Sequence, residues 1–138
     1  MKLVFSRHGE SEANVQRIYW NQPGRFPLTP KGRQQAETLA DALADYCFSA
    51  LYCSPVLRAL ETAQIVGRRF GLTPRVADGL REYHVGILEG VTYSEETQVL
   101  KGQTERSWIE QDDYDARIEG GESYNDIAAR FMPMIAGL

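Results

Sequence analysis

Histidine is almost missing from this chain, with two imidazoles, His8 and His84, in 138 residues. Cysteine is as sparse, at Cys47 and Cys53. Two thiols do not make a disulfide framework, and their C-x5-C spacing matches no zinc signature, so both are expected to be buried free thiols. No apolar run approaches the length needed to cross a membrane. The amino-terminal stretch Met-Lys-Leu-Val-Phe-Ser-Arg-His turns polar after three apolar residues, too soon for a signal-peptide core, so a cytoplasmic protein is expected. A basic surplus is also lacking. Fifteen Lys and Arg against nineteen Asp and Glu leave a net charge of −4, which argues against nucleic acid as a partner. An acidic chain can still hold an anion, but only where a few Arg side chains converge.

What is present suits an ordinary globular domain: 43% hydrophobic and 25% charged residues, in a length that favours a single domain over 1–138. Leu3-Val4-Phe5 reads as a short strand buried on both faces. Residues 15–28, with two prolines and several aromatics, read as an irregular loop. Thr29-Pro30 predicts a helix start, with Thr29 as N-cap and an apolar stripe at Ala36, Leu39, Ala40, Leu43 and Ala44. Ala50 to Cys53 reads as a second strand. Ser54 is the expected N-cap of the next helix, which packs Ala59, Ala63, Val66 and Phe70 and stops at Gly71. Thr73 to Val76 suits an edge strand because of Pro74. From Leu80 to about Tyr114 the pattern is weak, with short helical pieces. Gly120-Gly121 predicts a turn, and Ser123 with Asp126 a variant capping box on a last helix. That helix carries Ile127, Phe131, Met134, Ile135 and Leu138 as a stripe, and Pro133 should kink it. Strands alternating with helices indicate an α/β sandwich.

Three segments carry chemistry. Arg7-His8-Gly9-Glu10-Ser11 sits at the carboxyl end of the first expected strand, where ligands of open α/β sheets bind. There an imidazole can expose a ring nitrogen, Arg7 offers a fork matched to phosphate oxygens, and Gly9 permits a tight turn and close approach of phosphate. Ser54-Pro55-Val56-Leu57-Arg58 repeats that arrangement, placing a guanidinium in the first turn of a helix, although an arginine there is commonly just surface. Leu80 to Gly90 holds Glu82 and Glu89, either of which could act as general acid to a leaving oxygen. Spacing alone does not choose between them. Tyr19, Trp20, Trp108 and Tyr114 could line a substrate mouth, but local packing is the stronger expectation. Glu110, Asp112, Asp113 and Asp115 read as a solvated acidic face.

Arg7-His8-Gly9-Glu10-Ser11, Ser54-Pro55-x-x-Arg58-Ala59-x-x-Thr62-Ala63, Leu80-x-Glu82-x-x-x-Gly86-x-x-Glu89-Gly90 and Gly120-Gly121-Glu122-Ser123 stand in one order. In that order, and with Leu28-Thr29-Pro30-Lys31-Gly32 as helix entry, the chain resembles the histidine phosphatase superfamily, which includes the cofactor-dependent phosphoglycerate mutases. The resemblance runs from Leu3 to the last helix. It implies a phosphoglycerate mutase-like three-layer α/β/α sandwich with a mostly parallel sheet.

The resemblance also implies roles. His8 accepts the phosphoryl group, Arg7 and Arg58 clamp the phosphate oxygens, and Asn14 supplies an amide donor to them. Glu82 is the proton donor, Glu89 is structural, and Tyr83 and His84 stand near the substrate. Neither metal nor cofactor is implied. Family members carry a second histidine beyond the Gly-Gly-Glu-Ser segment, whereas this chain stops at Leu138. A domain lacking its carboxyl-terminal part is therefore expected. The activity so implied is hydrolysis of small phosphomonoesters. A mutase, or a non-catalytic phosphate-binding protein on the same scaffold, are the alternatives, and a homodimer is an admissible state. The Glu82–Gly120 stretch looks shorter than a mutase's substrate cap, which favours the phosphatase.

Overall fold

The protein is described by a computed structural model covering residues 2–138. Among the described residues, five α-helices and two short strands follow one another as α1 (Glu12–Gln16), α2 (Pro30–Ala42), β1 (Tyr52–Cys53), α3 (Leu57–Phe70), β2 (Arg75–Val76), α4 (Glu95–Glu110) and α5 (Tyr124–Ala136). Single 3-10 turns at Asp78–Leu80 and Gly86–Leu88 lie between β2 and α4. β1 and β2 pair in parallel, Tyr52 with Arg75 and Cys53 with Val76, which gives the α/β character read from the sequence. No helix among the described residues is long and apolar enough to cross a membrane.

α2 begins where its sequence says it should. Thr29 Oγ1 accepts the Gly32 N–H at 3.0 Å, and Pro30 occupies the first helical position, where no N–H is needed. α3 ends on Gly71 in the left-handed conformation, φ 64°. The two helices pack against each other through Ala36 and Ile65, with Leu28 beneath them. Burying a side chain such as Ile65 contributes about 1.5–3 kcal/mol. A second core gathers Tyr19, Tyr83, Val85, Leu88, Trp108 and Ile118, and Trp108 Nε1–H donates to Ala116 O at 2.7 Å. Tyr19 and Trp108 are thus packed inward, as the stronger sequence expectation had it, and the acidic run from Glu110 to Asp115 lies in solvent.

Several expectations need correction. Leu3-Val4-Phe5 forms no strand, and its side chains are 40%, 41% and 66% exposed. A strand needs a ladder partner, and among the described residues no backbone hydrogen bond or bridge joins residues 3–5 to another segment. Residues 3–5 instead border a cleft of about 510 Å³ that is also lined by Ile127, Phe131, Met134 and Ile135 of α5. Ser54 is not an N-cap. Val56 holds that position, and Ser54 Oγ accepts the Val56 N–H within the preceding turn. Cys53 is buried but Cys47 is exposed. Finally, residues 95–110 are one continuous helix, entered through Ser94 and Thr97, not a set of short pieces. Ser123 and Asp126 form the expected capping box of α5.

Candidate active site

The loop carrying Arg7 and His8 is fixed by backbone crowding. A side chain at Gly9 would put its Cβ 2.2 Å from Gly32 O, and one at Gly32 would sit 1.9 Å from Glu10 O. Only two glycines let this loop lie on the start of α2. The room at Gly9, expected to admit phosphate, is therefore used by the α2 backbone. Gly9 N–H donates to Thr62 Oγ1 at 3.2 Å, and that hydroxyl donates to Arg58 O at 2.7 Å, so one side chain of α3 ties the loop to the helix bearing Arg58.

The state of His8 follows from its neighbours. Gly9 O can only accept, so the contact of 2.7 Å to Nδ1 places the ring proton there. Arg58 Nε can only donate, so its contact of 2.9 Å to Nε2 leaves that nitrogen with a lone pair. Burial holds the His8 pKa below its ordinary value; the Gly9 bond opposes this, while the charges of Arg58 and Arg7 add to it. Neutral imidazole is the favoured form.

Arg58 is 7% exposed, and its guanidinium is anchored on three sides. Beyond His8, NH1 donates to Trp20 O at 2.7 Å and NH2 to Asn21 Oδ1 at 3.1 Å. Asn21 in turn donates through Nδ2 to Tyr83 O and through its backbone N–H to Glu89 Oε1, each at 2.7 Å. Glu89 is thereby bonded to the loop that anchors Arg58. Arg7 differs: it is exposed and makes no hydrogen bond among the described residues, yet its charge reaches both His8 and Arg58. Asn14, in the first turn of α1, completes the capping box with the N-cap Ser11, its Oδ1 accepting from Ser11 N–H and Oγ–H. Its Nδ2 makes no hydrogen bond among the described residues, and Asn14 is not among the residues lining the cleft.

Arg7, His8, Arg58 and Glu82 are all among the residues that line the 510 Å³ cleft, whose surface is largely apolar. Glu82 also lines a second cavity of about 350 Å³, shared with Asn21, Gln22, Arg81, His84 and Glu122. His84 Nδ1 accepts the Gly86 N–H at 3.1 Å, and among the described residues no hydrogen bond joins it to the His8 ring. Sequence reasoning thus brought Arg7, His8, Arg58 and Glu82 to one cleft. Asn21, a polar residue in an irregular loop, carries no local signal of its bond to Arg58, and the motif holding Thr62 does not reveal its link to Gly9.

The cleft thus joins the His8 imidazole, with Arg58 on its Nε2, to the side chains of Arg7 and Glu82. The chain belongs to the histidine phosphatase superfamily (branch 1), whose family model matches residues 3–138. It is 35% identical over 137 residues to a glucosyl-3-phosphoglycerate phosphatase of Mycobacterium tuberculosis, an alignment covering 99% of this chain and 60% of the relative. It is 34% identical to a 6-phosphofructo-2-kinase/fructose-2,6-bisphosphatase of Caenorhabditis elegans, covering 99% of this chain and 29% of that protein. Among solved structures, a mycobacterial glucosyl-3-phosphoglycerate phosphatase complexed with VO3 superposes with a TM-score of 0.79 at 34% identity, covering 95% of this chain and 63% of that one. The fold is accordingly the α/β, phosphoglycerate mutase-like one. The chain spans about 60% of the length of the mycobacterial relatives it matches.

Proposed function

We propose that the protein hydrolyses small phosphomonoesters by way of a phosphohistidine at His8, with no metal ion or other cofactor. The observation that carries this reading is the pinned tautomer of His8. Nδ1–H is committed to Gly9 O, and the Nε2 lone pair lies beside Arg58 among the residues lining the cleft. An incoming phosphate takes over the Arg58 Nε donor and leaves the lone pair facing phosphorus. Nε2 then bonds to phosphorus as the P–O ester bond breaks, and the leaving alkoxide takes a proton from Glu82. In the second half, water attacks phosphorus, its proton passes to the Glu82 carboxylate, and the P–N bond breaks to return the lone pair to Nε2. Arg7 and Arg58 balance the charge on the equatorial oxygens, and Asn14 Nδ2 adds a neutral donor. The names of the relatives support a small phosphorylated metabolite as substrate.

The test uses the full-length protein with an aryl phosphate in the presence of EDTA. Phosphate release, with an acid-labile phosphoenzyme, is expected, and His8→Ala should lower turnover by roughly 10³-fold or more. Turnover that survives His8→Ala would sink the proposal. A titration accompanies it. Because the His8 pKa is lowered, the neutral ring should persist to more acidic pH than a free imidazole, whose midpoint is about 6.5. An NMR titration of the ligand-free protein checks this, and a midpoint above that value contradicts it.

A further inference from the structure

The carboxyl group of Glu82 makes no hydrogen bond among the described residues, and the residue is exposed. Where that carboxyl can reach is therefore decided by the main chain beneath it. That main chain is held from α5. Arg130 NH1 donates to Gly79 O and to Arg81 O, each at 2.9 Å, and NH2 approaches Glu82 O at 3.4 Å. Glu122 fixes the arginine itself, accepting from Nε at 2.8 Å and from NH2 at 2.9 Å as a two-pronged pair. The same carboxylate accepts the His84 N–H at 2.8 Å, and Glu122 N–H donates to His84 O at 2.9 Å. The segment is thus gripped on both sides of Glu82.

We infer that Arg130, held by Glu122, is the positioning residue for Glu82, setting the main chain from which its carboxyl reaches the leaving oxygen. This rests on the proposed role of Glu82 as proton donor. A lysine cannot replace Arg130, because one ammonium cannot span Gly79 O, Arg81 O and both carboxylate oxygens at once. The side chains of the pair are only 18% and 26% exposed, and Arg130 holds the Glu122 carboxyl below its ordinary range.

A proton donor matters most when the leaving group is a poor one. The experiment therefore compares kcat/KM for glycerol phosphate, an alkyl ester, with that for p-nitrophenyl phosphate, using one preparation of the full-length protein for both. The ratio of the two does not depend on how much of the sample is folded. Glu82→Gln should depress the alkyl ester selectively. Arg130→Met should do the same by on the order of tenfold, since general acids contribute ~10²–10⁴ and displacement forfeits part of it. Arg130→Lys should fall between wild type and Arg130→Met, and serves if the methionine variant does not fold. Glu82→Gln combined with either Arg130 variant should shift the ratio no further than Glu82→Gln alone. A ratio moved by Glu82→Gln but unmoved by both Arg130 variants overturns the inference while leaving Glu82 as the donor. A ratio unmoved by Glu82→Gln removes the donor role and the inference with it.

Discussion

The two arginines beside His8 are held in opposite ways. Arg58 is buried and spends its guanidinium on His8 Nε2, Trp20 O and Asn21 Oδ1, whereas Arg7 is exposed and free of hydrogen bonds among the described residues. Burial lowers the Arg58 pKa, and the nearby Glu82, Tyr93 and Glu89 partly restore it. The difference separates two tasks that one residue type can perform. Arg58 is both part of the framework and a donor to the site, so it joins α3 to the loops at Trp20 and Tyr83. Arg7 has charge to offer a ligand and little else.

Substitution should pull those tasks apart. The largest loss of stability is expected for Arg58→Met, about 2–5 kcal/mol, because Trp20 O and Asn21 Oδ1 lose their partner. Urea denaturation measures it. Asn21→Ala should follow at about 1–3 kcal/mol, since Tyr83 O and one Arg58 donor are left bare while the backbone bond to Glu89 survives. Arg7→Met should change stability by no more than about 0.5 kcal/mol. In turnover, however, Arg58→Met and Arg7→Met should both fall roughly 10²–10³-fold. An Arg7 variant as destabilised as the Arg58 variant would erase the comparison. An Arg7 variant with full activity would leave Arg58 as the sole clamp.

What could be read from the sequence were features coded locally. Thr29-Pro30, Gly71 and Ser123 announce helix ends through their own backbone preferences and hydroxyl groups, and each does so in the structure. The cleft-lining residues Arg7, His8, Arg58 and Glu82 were legible because they lie in ordered motifs at turns and a helix start. The failures share a cause as well. Leu3-Val4-Phe5 has the composition of a buried strand, but a strand exists only beside a partner, and among the described residues none pairs with it. α4 escaped notice because its apolar stripe is thin, with only Thr104 and Trp108 buried, and because its cap uses Thr97 where a glutamate or glutamine is the usual signal. Asn21 and Arg130 act by bonds to main chain more than 45 residues away in one case and more than 60 in the other. No local pattern encodes such reach.

The central claim is that Nε2 of His8, with Nδ1–H tied to Gly9 O, is the atom that takes the phosphoryl group. Rapid quenching of the full-length protein during turnover into alkaline buffer, followed by phosphorus NMR of the proteolysed phosphopeptide, separates the two ring isomers. Phosphate on Nε2 of residue 8 is the expected result. Phosphate on Nδ1, or on any other residue, would contradict it.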